Sequence, residues 1–198
     1  MDYLTRQTLI AKIRNQHDDK SWEEFVYFYE RYIFVVVNKM GVSYDNCEDL
    51  VQRVLLALWE KLPDFEYMPD KCKFRTWMNK IIKHVVISFF RKSQRHKNDI
   101  KRAALQHIND QVEDFNLPDI YEVAETEWKV HVSNLAWENI KDEFTGKAAD
   151  CFLLFSEGKN IDDICEELDI KKNTAYVFKN RVQEKLHKEI RRLDRELS

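Results

Sequence analysis

The sequence predicts an all-α protein built as two helical domains, and three observations predict it. Only three Gly and three Pro punctuate 198 residues, too few for the many tight turns of a β fold. Apolar residues recur at three- and four-residue spacing over long runs, the period of amphipathic helices. Charge is segregated: from Lys71 to Arg102 the only acidic residue is Asp99, and from Ala103 to Trp128 seven carboxylates occur with no Lys or Arg. This acidic stretch holds Asn116, Pro118 and scattered apolars without a sustained period, so it reads as a linker with little structure of its own. The expected organisation is a first domain over 1–98, an acidic linker over 99–127 and a second domain over 128–198.

In chain order, Leu4 to Asn15 is a short helix with Leu9, Ile10 and Ile13 as its apolar stripe. Ser21-Trp22-Glu23-Glu24 reads as a capping box that starts a long helix toward Lys39, with Gly41 as its stop. Trp22, Phe25, Tyr29, Tyr32, Ile33 and Val36 face the core. Asp45 or Asn46 caps the next helix, Cys47 to Leu62, before Pro63. Its outer face carries Glu48, Asp49, Gln52, Arg53, Trp59 and Glu60, a surface that suits a protein partner better than DNA. The stretch Lys71 to Lys92 buries Phe74, Trp77, Met78, Ile81, Ile82, Val85 and Phe89 and shows a basic face, which implies a negatively charged partner.

The last third resumes helical spacing from Trp128 to Phe144, then Ala148 to Phe155, then Ile161 to Leu168 capped by Asn160. Asp169-Ile170 turns the chain into a helix from Asn173 to Ile190. Helix, short turn and helix form a helix-turn-helix pattern. In the second helix Lys172, Lys179 and Arg181 can neutralise phosphates, while Asn173, Tyr176 and Asn180 can reach base edges. A two-helix hairpin for protein contact competes with this reading, because Asp162, Asp163, Glu166 and Glu167 make the preceding helix acidic.

Several function classes find no support. The four cysteines form no C-x-x-C pair and the six histidines no metal-ligand spacing, so no metal and no other cofactor is expected. There is no Gly-rich phosphate loop, no nucleophile motif and no convergent carboxylate pair, so the chain is not expected to be an enzyme. No apolar run of about 18 residues suggests a membrane span, and unpaired cysteines suit a reducing cytoplasm.

Together, W-E-E-F-V at 22–26, E-D-L-V-Q-R-V at 48–54, F-R-T-W-M-N-K-I-I at 74–82 and F-F-R-K at 89–92 resemble region two of the extracytoplasmic-function (ECF, group 4) sigma factors of the sigma-70 family. The C-terminal third is similar to that family's region four. The resemblance implies recruitment of core RNA polymerase. Asp49, Gln52, Arg53 and Trp59 would dock on the clamp helices, and region four would sit on the flap. The helix from Asn173 would read the minus-thirty-five promoter element. Lys73, Arg75, Lys80, Lys83, His84 and Arg91 would engage the minus-ten element, where a flipped base is captured and the promoter melts. His84 stands where relatives carry Asn and Ser88 where many carry Asp, so the preferred minus-ten base stays open. Many relatives are restrained by an anti-sigma protein, which adds a third kind of partner to polymerase and promoter DNA. The alternative is a stand-alone helix-turn-helix regulator, which leaves the first basic helix without a purpose.

Overall fold

The chain folds as helices joined by short connections, as seen in a computed structural model that describes residues 6–14, 18–65, 74–104, 117–144 and 146–197. In order these are α1 (Arg6–Ile13), α2 (Asp19–Lys39), α3 (Tyr44–Lys61), α4 (Phe74–Ala104), α5 (Ile120–Ile140), a single 3-10 turn (Lys141–Glu143), α6 (Lys147–Ser156), α7 (Ile161–Leu168) and α8 (Lys172–Leu197). The all-α expectation holds, with no strand among the described residues. The chain divides into two units, residues 1–128 and 129–198. Among the described residues no helix is long and apolar enough to cross a membrane, and no group of three or more His, Cys, Asp and Glu could hold a metal ion.

The first unit packs α1 to α4 around an aromatic core. Phe74, at the start of α4, is fully buried and lies 5.9 Å from Phe25, 5.7 Å from Tyr29 and 5.6 Å from Phe65, ring centre to ring centre. Tilted and edge-to-face pairs of this kind add to the burial of apolar area. The cap of α2 differs from the expected capping box. Asp18 caps the helix, accepting from the Ser21 amide at 3.1 Å and the Ser21 hydroxyl at 2.8 Å. A charged acceptor one turn earlier takes the Ser21 amide, and Ser21 is left buried. These bonds from Ser21 hold the exposed Asp18 carboxyl below its usual range. For α3 the N-cap is Ser43 rather than Asp45 or Asn46; Asn46 instead donates to the Ser43 hydroxyl at 2.7 Å.

The acidic stretch differs most from expectation. Its last part, residues 120–127, is helix. Asp119 accepts from the Tyr121 amide at 2.9 Å, and Ile120, Ala124 and Trp128 are buried at four-residue spacing in the first unit. Trp128 lies edge-on to Tyr32 at 5.2 Å and stacks on Tyr29 at 6.3 Å. The buried Tyr32 hydroxyl sits between Asn79 Oδ1 at 3.1 Å and the Ala124 carbonyl at 3.3 Å, and burial pushes its pKa well above the usual tyrosine value. These three residues span only about 80° of the helix, one face that the seven carboxylates of the acidic stretch mask in the sequence.

In the second unit, Cys151, Ile164 and Ala175 form the fully buried centre, with Leu154, Phe155, Ile161, Cys165, Leu168, Ile170 and Phe178 packed against it. Asn160 caps α7 as expected, accepting from the Asp162 and Asp163 amides at 2.9 and 3.0 Å. The turn out of α7 is a Schellman motif: the Ile170 amide donates to the Cys165 carbonyl at 3.0 Å and the Asp169 amide to Glu166 at 3.3 Å. Asp169 takes the left-handed position, φ 48° and ψ 60°, where α6 uses Gly158 at φ 84° for the same two bonds. A Cβ costs energy there. Asp169→Gly is therefore expected to stabilise this unit by about 0.5–1 kcal/mol, a rise of a few degrees in its melting temperature. A lower melting temperature would contradict the left-handed assignment.

Candidate nucleic-acid interface

α4 is amphipathic because Phe74, Met78, Ile81, Ile82 and Val86 turn inward and are buried. Val86 takes the place expected for Val85, which is only partly buried. At 100° per residue, Lys80, His84 and Arg91 fall within an outward arc of roughly 40°, with Lys83 about 60° to one side. All four are exposed. Lys73 lies outside the described residues.

Arg75 is different, since the same geometry places it nearly opposite that arc. Its side chain is only 13% exposed; Nη2 donates to Glu125 Oε2 at 2.8 Å and the guanidinium lies 5.0 Å from the centre of the Trp128 ring. Nη1 is buried without a hydrogen-bond partner among the described residues. Lys83 borders the same flank, 6.0 Å from the Tyr121 ring. The structure thus groups Lys80, Lys83, His84 and Arg91 and holds Arg75 beneath α5. Neither Glu125 nor Trp128 is near Arg75 in sequence, so no local pattern could have shown this contact.

The outer face of α3 carries Asp49, Gln52 and Arg53, all exposed, and Trp59, half-buried against Trp22 at 4.8 Å edge to face. Arg53 pairs with Asp49 at 2.7 Å one turn away. Leu56 falls between Gln52 and Arg53 on this face and is 58% exposed. An apolar-inside, polar-outside pattern assigns a leucine to the core, yet the spacing alone puts Leu56 on this outer face.

α8 buries Ala175 and Val182 and turns Asn173, Asn180 and Arg181 outward, where no side-chain hydrogen bond or ion pair holds them among the described residues. The remaining expected contacts are partly engaged. Tyr176 stacks on Phe155 at 6.3 Å and Lys179 Nζ lies 4.6 Å over that ring. Lys172 pairs with Asp162 at 2.5 Å, and that bond raises its pKa. Further along, Lys185 pairs with Glu143, and Arg192 binds both Glu189 and Glu196, closing the far end of α8 against acidic groups. Of the four acids on α7 that argue for a protein-binding hairpin, Asp162 thus partners the second helix itself. Val177, 63% exposed, sits among Asn173, Asn180 and Arg181 and was not among the expected contacts.

Residues 28–96 match the family model for sigma-70 region 2. That span runs from within α2 to residue 96 of α4, and it contains both the α3 face and the basic arc of α4. The match covers about a third of the chain and ends at residue 96, so α5 to α8 stand on their own geometry. Among solved structures the chain is similar to CnrH in complex with the cytosolic domain of CnrY, at 16% identity over 92% of this chain and 94% of that one, with a TM-score of 0.37. It is also similar to the sigma factor RpoE in complex with the anti-sigma factor NepR from Bartonella quintana, at 16% identity over 87% and 98%, again with a TM-score of 0.37. Likeness at that level fixes neither arrangement nor partner. No curated protein matches the chain.

Proposed function

We propose that the chain is an extracytoplasmic-function sigma factor: it binds core RNA polymerase in the cytoplasm and directs it to particular promoters without chemistry of its own. The observation that carries this is the region 2 match, because the matched segment bears two separate faces that a sigma factor needs. One is the α3 face of Asp49, Gln52, Arg53 and Trp59, mixed in charge, with one aromatic ring and centred on the exposed Leu56. Aromatic and aliphatic anchors ringed by polar groups are the usual makings of a protein-binding patch. The other is the α4 arc of Lys80, Lys83, His84 and Arg91, suited to the phosphates of a separated strand.

In this reading α4 holds the minus-ten element while a base leaves the stack. Extraction costs a few kcal/mol, which contacts to the opened strand can offset without ATP. The outward face of α8 reads the minus-thirty-five element as duplex. Asn173 and Asn180 are free to pair with base edges, Arg181 with phosphate, and Lys172 would exchange Asp162 for phosphate on docking. Arg75 enters the minus-ten site only if Glu125 and Trp128 release it.

Size-exclusion chromatography with core RNA polymerase tests the reading. Co-elution of the chain, weakened by Leu56→Asp together with Trp59→Ala, is the expected result. A chain that ignores the polymerase and binds duplex DNA alone as a dimer would point instead to a stand-alone regulator.

A further inference from the structure

The side chain that the polar reading of α8 leaves unexplained is Val177. It is 63% exposed, and at 100° per residue it sits between Asn173 and Asn180 on one side and Arg181 on the other. The buried face of the helix, Ala175 and Val182, is on the opposite side. Among the described residues it is left largely uncovered, with Asn173 one turn before it and Arg181 one turn after it. In the free protein this is a poor position for valine. A β-branched residue loses rotamer freedom in a helix, and its exposed methyls gain nothing from burial. Lys, Gln or Ala would serve an exposed site better on both counts.

We propose that Val177 reads DNA directly, packing its methyls against the C5-methyl group of a thymine in the major groove. The inference rests on the helix-turn-helix reading above and goes further, by naming a base feature and the residue that recognises it. Each base pair shows a distinct pattern in that groove, and the thymine methyl is its one apolar feature. Val177 is the one aliphatic side chain among the exposed residues of α8 from Lys172 to Arg181. With Asn173 and Asn180 beside it, the face offers two amides that can pair bidentately with adenine and one aliphatic contact for thymine. A recognition site containing both bases within a few steps fits this arrangement.

The test begins with duplexes selected from a random pool by the full chain bound to core RNA polymerase. Each thymine of the enriched upstream element is then replaced by uracil, which removes only the methyl. With the wild-type chain, one position should lose about two- to fourfold in affinity, the size expected for one buried methyl. Val177→Ala should bind the thymine and uracil duplexes equally at that position, and Val177→Ile should keep the preference. The melting temperature of Val177→Ala should be unchanged or higher, since Ala is the better helix former. If no position distinguishes thymine from uracil, if Val177→Ala keeps the discrimination, or if the variant melts well below wild type, the proposal is overturned while the sigma reading stands. If the pool yields no enriched sequence at all, both fall.

Discussion

Trp128→Ala is expected to destabilise the first unit by about 3–5 kcal/mol, the usual size for removing a large buried aromatic. Trp128 is 2% exposed, meets Tyr29 and Tyr32 ring to ring and lies against the Arg75 guanidinium. Truncation would leave a void beside two tyrosines and remove the aromatic face from a largely buried cation. It would also loosen the bond of Glu125 to Arg75 and the approach of the Ala124 carbonyl to the Tyr32 hydroxyl. Against a typical total of about 5–15 kcal/mol, the loss is large enough to appear as a lower urea midpoint for this unit. Arg75→Met, which keeps the aliphatic stem and drops the charge, should cost about 1 kcal/mol or less, because Glu125 is half exposed and the pair is screened. Urea melts of the two variants check both values. A Trp128→Ala chain as stable as wild type would mean that α5 does not dock on the first unit in solution.

Asn180→Ala carries the largest expected effect on recognition. Asn180 is exposed on the outward face of α8 and held by no other side chain among the described residues, so its amide is available to pair with an adenine. Losing a bidentate pair costs about 1–3 kcal/mol of discrimination, roughly 5- to 150-fold between the preferred and the substituted base. The salt dependence should barely move, because no phosphate charge is lost. Arg181→Ala should do the reverse, weakening binding to every sequence and lowering the salt slope by about one ion. Competition binding of the polymerase complex at two salt concentrations separates the cases. Equal weakening of Asn180→Ala on all sequences would refute its role as a base reader.

Local signals were legible wherever a residue acts on its own turn of helix. Asn160 as the cap of α7 and Gly41 after α2 both follow from residue chemistry within four residues. The α2 cap was misread because two acceptors, Asp18 and Ser21, lie one turn apart and the sequence does not rank them; the carboxylate takes the amide and turns Ser21 into its donor. The start of α5 was hidden for a different reason. Its charge pattern marks a linker, although its three buried residues step by four and share one face about 80° wide. What ties them down, Tyr29, Tyr32 and Arg75, is contributed by α2 and α4, and contacts between elements leave no mark on local periodicity.

The same limit explains the candidate sites. Polar residues on α3, α4 and α8 could be placed on outer faces by spacing alone, and the structure groups most of them there. Arg75 is the exception, since its charge suggested a nucleic-acid contact and its register turns it toward α5. The exposed aliphatic residues Leu56 and Val177 were passed over because apolar side chains were assigned to the core, although each sits in the middle of a polar face.

The most direct measurement is transcription from a duplex selected with this chain and core RNA polymerase, read together with permanganate reactivity of its thymines in the absence of a hydrolysable nucleotide. The sigma reading predicts a transcript from one start site, and reactive thymines just upstream of it, only when chain and polymerase are both present, with both signals reduced when Lys80 and Arg91 are changed to alanine. Equal transcription with and without the chain, or a duplex that stays unreactive while the chain binds it alone, would contradict it.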